Sequence, residues 1–254
     1  MQVRELIVDI LDGDREVMIA PLPLYHIYAF TVSLVMSDMG HEMVLIPNPR
    51  DIPGFVKELS KHKFSSFAGL NTLFVALCNN KEFNALDFSH LKHTISGGMA
   101  LTEAAASTWQ NVTGCQIQEA YGLTETSPAV SFNPYRDIRI GTIGKVVTGT
   151  QVKVISEDGT DLGFDQEGEL CVKGPQVMAG YWQRPEATAQ VMDADGWFKT
   201  GDVAILAEDG FIRLVDRIKD MINVSGFNVY PNEIDDIASQ HSGILECAAV
   251  GIPN

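Results

Sequence analysis

The chain has 254 residues, 45% of them hydrophobic, and 33 acidic against 18 basic side chains, which gives a formal charge of −15 and a pI near 4.7. Such a chain can bury a sizeable core and is not a small peptide module. Its acidic excess opposes the counterion-releasing basic surface that DNA or RNA binding needs, which argues against polymeric nucleic acid; a free nucleotide remains open, because one divalent cation and a few aimed backbone N–H groups offset phosphate charge locally.

In chain order, residues 2–10 place Val3, Leu6, Ile7 and Ile10 at helical spacing. Residues 17–20 form an apolar run stopped by Pro21 and Pro23, as suits a buried strand leaving its sheet, because proline cannot donate to a ladder. An apolar helix is predicted from Tyr25 onward; its apolar stretch is about half a membrane span and reads as core. Residues 43–46 read as a strand, Asp51 before Pro53 as a helix start, residues 64–68 as a strand, and Asn71 as the cap of a helix over 73–77. Residues 92–95 lead as a strand into Ser96-Gly97-Gly98, Thr102 caps an alanine-rich helix over 103–112, and residues 116–118 form another strand.

Strands alternating with amphipathic helices imply parallel βαβ units with right-handed crossovers. Ligands of open parallel sheets bind outside the carboxyl ends of the strands, where both the Ser96-Gly97-Gly98-Met99 and the Tyr121-Gly122-Leu123-Thr124-Glu125 loops are expected, side by side. The glycines admit backbone against one face of a planar ring while Tyr121 covers the other, a slot for adenine. The competing reading of Gly97-Gly98 is a tight strand-to-helix turn with no ligand.

Beyond about residue 135 the texture turns to short alternating runs, with Asp-Gly pairs at 158–159, 195–196 and 209–210 marking turns. A small β-barrel or sandwich is predicted there, followed by a helix from Glu233 that Asn232 could cap and by a strand over 246–251. The expected fold is α/β: a parallel sheet with flanking helices over 1–135, a small β-barrel over 136–217, and the start of an α+β C-terminal domain over 218–254. Cys78, Cys115, Cys171 and Cys247 lack Cys-x-x-Cys spacing and read as reduced, mostly buried thiols; His90 and His93 read as a solvated pair on a turn. No signal peptide is evident.

The chain resembles the adenylate-forming superfamily, and within it the bacterial long-chain fatty acid–CoA ligases. The residues that carry the resemblance are Pro21-Leu22-Pro23-Leu24-Tyr25-His26, Ser96-Gly97-Gly98, Tyr121-Gly122-Leu123-Thr124-Glu125, Gly168-Glu169-Leu170, Gly180-Tyr181-Trp182, Thr200-Gly201-Asp202, Val215-Asp216-Arg217 and the run from Val224 to Ile234. Together, in this order, they are far more specific than any one alone.

The resemblance implies adenylation of a carboxylate by ATP with loss of pyrophosphate, then transfer of the acyl group to the coenzyme A thiol. It implies that Gly97, Gly98, Tyr121 and Gly122 enclose adenine, Thr124 bonds phosphate, Glu125 ligates Mg2+, Asp202 accepts from the ribose hydroxyls and Arg217 adds a donor fork. His26 and Phe30 would lie at the acyl tunnel, Lys219 at a domain hinge, and Gly226 beside the coenzyme A channel. The superfamily's Ser/Thr/Gly-rich phosphate loop has no match in residues 1–20, and its C-terminal catalytic lysine is lacking, so a nearly inactive piece of a longer ligase is expected. The alternatives are a non-catalytic nucleotide- or acyl-binding module, or a ligase for aryl or medium-chain acids. The expected location is the cytoplasm, with peripheral association at the inner face of the membrane and homodimerisation both open.

Overall fold

In the computed structural model, the described residues are 15–241, 243–244 and 247–252; the helical spacing at residues 2–10 lies outside them. The chain builds β1 (Val17–Ala20), α1 (Ile27–Asp38), β2 (Glu42–Leu45), α2 (Ile52–Leu59), β3 (Ser66–Gly69), α3 (Asn71–Cys78), β4 (His93–Ser96), α4 (Glu103–Thr113) and β5 (Ile117–Gly122). Then follow β6 (Ala129–Phe132), β7 (Lys145–Val146), β8 (Gln151–Ile155), β9 (Glu167–Lys173), α5 (Pro185–Val191), β10 (Phe198–Leu206), β11 (Ile212–Arg217), β12 (Ile222–Val224), β13 (Phe227–Val229) and α6 (Pro231–Ser239).

The first sheet runs β2-β1-β3-β4-β5-β6-β7, parallel through β5 and antiparallel for the last two strands. β3 and β4 are buried at every residue, as parallel strands covered on both faces must be. On one face Phe55, Phe67, Phe74, Phe83 and Trp109 pack with α2, α3 and α4. The Trp109 ring sits 4.8–5.6 Å from the rings of Phe67, Phe74 and Phe83, and its indole N–H donates to Thr94 at 3.1 Å. On the other face α1 packs Val32, Val35 and Met36 against Met18, Ala68, Ile95 and Phe132.

Two helix starts follow the sequence: Asp51 accepts from Gly54 N at 3.1 Å, and Thr102 Oγ1 from Ala105 N at 3.3 Å. Asn71 does not cap. It is the first residue of α3, and its Oδ1 reaches across to the backbone N and hydroxyl of Thr102, tying the two helix starts together. Asn232 likewise lies inside α6, which Pro231 opens, and its N–H goes to Asp216 Oδ2 at 2.9 Å. The strand expected over 246–251 is absent from the described part, 247–252; Ala249 N bonds the Asp235 carboxylate instead of a ladder partner. His93 is buried in β4 and meets the Tyr135 ring edge-on, so it is no part of a solvated pair.

The expected small β-barrel takes the form of a four-stranded antiparallel sheet, β11-β10-β9-β8, whose outer strands do not pair with each other. Ile212 closes the gap to the first sheet instead, exchanging backbone bonds with Ile143 and Gly144 at 2.9 Å. A core of Val130, Ile143, Leu170, Val172, Ala204 and Ile212 fills the space between the sheets. Among the described residues, no helix is long and apolar enough to cross a membrane.

Candidate nucleotide and acyl site

The carboxyl ends of β4 and β5 are neighbours, so the two expected loops do meet. Tyr121 and Gly122, however, are the last residues of β5 rather than loop. At Gly97 a Cβ would lie 3.3 Å from Ala120 O and 3.5 Å from the Tyr28 ring, while Gly98 has φ +85° and open space around it. The backbone is therefore close-packed at Gly97 and open at Gly98. Gly122 is glycine for a different reason: a Cβ there would fall 1.8 Å from Pro128 O, across the β5–β6 pair.

Beside this turn lies a mainly apolar cavity of about 70 Å³. α1 contributes Ile27, Tyr28, Thr31 and Val32, and the opposite wall comes from Ile95, the ends of β4 and β5, and β6. Tyr28 is held by its hydroxyl, which donates to Ile95 O at 3.1 Å, and burial pushes its phenol well above the ordinary range.

Asp202 arrives from the second sheet. β10 loses register with β9 between Lys199 and Val203, where Gly201 takes φ +75° and donates its N–H to Glu169 at 3.1 Å. The bulge is pinned by Thr200, whose hydroxyl donates to Leu170 O and accepts from Asp202 N. Asp202 is 5% exposed; it accepts from the Tyr121 hydroxyl and faces Arg217, its cross-strand partner, at 3.4 Å. Burial raises the Asp202 pKa, opposed by the Tyr121 bond and the guanidinium; burial and the facing carboxylate push the Tyr121 phenol well up, keeping it a donor. The Tyr121–Asp202 bond thus adds a side-chain tie between the two sheets.

Residues 124–126 form a short 3-10 turn. Thr126, fully buried, organises it: its hydroxyl accepts from Leu123 N at 2.9 Å and donates to Pro128 O. That leaves Thr124 exposed and Glu125 half-buried. Glu125 Oε1 accepts from the Tyr181 hydroxyl at 2.9 Å, and its backbone carbonyl accepts from Met178 N at 2.8 Å. No group of three His, Cys, Asp or Glu side chains among the described residues could cage a metal. A single carboxylate with one oxygen still available fits Mg2+, which keeps waters and takes phosphate oxygens for its remaining ligands.

The other expected site residues fall further out. His26 is exposed and caps α1, its Nδ1 accepting from Tyr28 N at 3.3 Å, so it precedes the apolar helix instead of sitting on it. Phe30 is 48% exposed and is not among the residues of α1 that line the cavity, because a helix turns successive residues by 100° and sets it on another side from Tyr28, Thr31 and Val32. Lys219 lies in the exposed turn after β11, near enough to add to the positive field at Asp202. Gly226, φ +87°, and Ser225, φ +51°, form the tip of the β12–β13 hairpin, outside the cavity lining. Thr126 and Tyr181 had no assigned role in the sequence, though Tyr181 stands in the Gly180-Tyr181-Trp182 motif.

Residues 2–182 match the family described as AMP-binding enzyme. The chain is 52% identical over its whole length to the long-chain-fatty-acid–CoA ligase of Salmonella typhimurium strain LT2, covering 45% of that protein. Among solved structures, ATP-bound MatB from Rhodopseudomonas palustris superposes with a TM-score of 0.86 at 31% identity, over 99% of this chain and 50% of that one. The anthranilate CoA ligase AuaEII, in complex with anthranoyl-AMP, superposes with a TM-score of 0.89 at 27% identity, over 99% and 49%. The chain therefore spans about half the length of the relatives it matches.

Proposed function

The chain belongs to the AMP-binding enzyme family, and on that footing we propose that it carries the adenylating site of an ATP-dependent long-chain fatty acid–CoA ligase. The observation that supports the reading is the Tyr121–Asp202 bond, which joins a carboxylate of the second sheet to a ring that lines the same cavity as Gly97 and Gly98.

In this reading adenine lies between the Gly97-Gly98 backbone and Tyr121, Asp202 accepts from the ribose hydroxyls, and Arg217 donates beside ribose and phosphate. The exposed Thr124 hydroxyl bonds phosphate, and Glu125 offers its free oxygen to Mg2+. That cation, when bound, screens the phosphate charge. The fatty carboxylate attacks the α-phosphorus, the bond to pyrophosphate breaks, and the acyl-adenylate remains. Coenzyme A thiolate then attacks the acyl carbonyl and AMP leaves. The acyl chain runs along the wall made by Ile27, Tyr28, Thr31 and Val32, whose apolar surface favours a hydrocarbon. Lys219 is the hinge and Gly226 the residue that borders the pantetheine path; free ATP and coenzyme A place the reaction in the cytoplasm.

Calorimetric titration with non-hydrolysable acyl-sulfamoyl adenosines tests this without needing turnover. The palmitoyl compound is expected to bind more tightly than the octanoyl one, and both more tightly than the benzoyl one. Preference for benzoyl would overturn the long-chain assignment, and binding of none would overturn the adenylate site.

A further inference from the structure

The cation ligand of the reading above is a half-buried glutamate on an exposed turn, and a glutamate so placed has rotatable bonds that water leaves free. Two contacts from a distant segment restrain it. The Met178 N–H holds the Glu125 carbonyl at 2.8 Å, and the Tyr181 hydroxyl holds Oε1 at 2.9 Å.

Tyr181 is itself built in. Its N–H donates to Thr188 Oγ1 at 2.9 Å, the Thr188 hydroxyl donates to Arg184 O at 3.0 Å, and Arg184 N returns to Tyr181 O at 3.1 Å. Gly180 lets the chain lie flat on Thr188: a Cβ there would meet the Thr188 γ atoms at 2.9 and 3.0 Å. The first turn of α5 is thus a platform for one phenol. Tyr181 is 36% exposed, so it adds little to the core, and the informative contact is the hydroxyl.

We propose that Tyr181 is a positioning residue for Glu125: its hydroxyl occupies Oε1 and aims Oε2 at the nucleotide-bound divalent cation, with Thr188 as the anchor. The proposal rests on Glu125 being the cation ligand. It assigns a purpose to the Gly180-Tyr181-Trp182 motif through atoms 56 residues from the glutamate in sequence. An outer partner of a metal-bound carboxylate fixes its orientation, and losing such a partner costs about 10–100-fold in metal affinity.

The probe is Mn2+ supplied as its ATP complex, followed by the enhancement of water-proton relaxation that distinguishes the protein-held complex from the free one, with ATP affinity in EDTA and the urea midpoint measured in parallel. Wild type should retain Mn2+, Glu125→Gln should lose it, and Tyr181→Phe should bind it about 10-fold more weakly with ATP affinity in EDTA and urea midpoint unchanged. Thr188→Val, which keeps the phenol but cuts its anchor, should fall between. If Glu125→Gln loses Mn2+ and both Tyr181→Phe and Thr188→Val match wild type, the positioning role is overturned while the cation site stands. If Glu125→Gln binds like wild type, or wild type itself retains no Mn2+, the cation site falls and the positioning role with it. A Tyr181→Phe protein that loses ATP affinity in EDTA to the same extent as Mn2+ affinity also overturns the proposal, since the residue would then act on the fold of the whole site.

Discussion

The two sheets contribute to the site in opposite ways. The parallel sheet is held by fully buried rings on the face away from the cavity, and what lines the cavity there is chargeless: glycine backbone and Tyr121 at the strand ends, with Tyr28 facing them from α1. The antiparallel sheet has a smaller aliphatic core, and it brings Asp202 and Arg217 to the rim by side-chain bonds around a bulge. The aromatic core resides in the first sheet, while Asp202 and Arg217 come from the second, so substitutions at Trp109 and Asp202 should separate folding from binding.

The largest expected effect is at Trp109, which touches three buried rings and satisfies Thr94. Trp109→Ala should cost about 3–5 kcal/mol in urea denaturation. A cost under 1 kcal/mol would mean that the aromatic cluster does not carry the parallel sheet. The complementary change, Asp202→Asn, should leave the urea midpoint equal or higher, because an amide escapes the desolvation that raises the carboxyl pKa. It should weaken nucleotide binding by about 1.5–3 kcal/mol, the worth of a hydrogen bond to a charged acceptor. Equal losses of stability and affinity in both variants would erase the distinction between the sheets.

Much of the first sheet was legible because its signals are local. Pro21 ends β1, and Asp51 and Thr102 each find a backbone N–H three residues on. The glycine turn after β4 also meets β5 as parallel alternation requires. What stayed hidden depends on pairs far apart in sequence. Tyr121 and Asp202 are 81 residues apart, and Tyr181 and Glu125 are 56. Asn71 and Asn232 mislead for the same reason: each reads as a local cap, but the Asn71 amide oxygen accepts from Thr102 N and the Asn232 N–H donates to the Asp216 carboxylate, partners set by the tertiary fold. Which residues of α1 line the cavity, Ile27, Tyr28, Thr31 and Val32, is set by the rotation of the helix and not by distance along it.

A pH experiment probes the first sheet at β5. Glu119, on β5, is 8% exposed, and burial pushes its pKa up to about 8 even though Gly141 N donates to it. A carboxyl whose folded pKa is raised favours the folded state while protonated. Its contribution is fully present below about pH 4.5 and is lost as pH rises through about 8. Stability should fall across that window by up to about 1.4 kcal/mol per pH unit, and Glu119→Gln should flatten the fall and be the more stable protein at pH 9. A wild type whose urea midpoint is level between pH 5 and 8 would show that the group is ionised throughout.

The smallest effect belongs to the outer face of the second sheet, where the Lys153 ammonium lies 4.5 Å and the Lys173 ammonium 5.9 Å from the Trp197 ring centre. The strand register puts Lys153 and Lys199 on either side of Cys171, so like charges gather over a buried thiol in an otherwise acidic protein. The indole offers them a polarisable face, and a cation over such a ring contributes about 0.5–1 kcal/mol at a site partly open to water. Lys153→Met keeps the apolar stem that covers Cys171 and removes only the charge. It should lower the urea midpoint by that small amount and shift the Trp197 fluorescence, with nucleotide affinity untouched. A stability gain instead would mean that repulsion among the lysines outweighs their attraction to the ring, and that this sheet, unlike the first, holds its surface charge against its own stability.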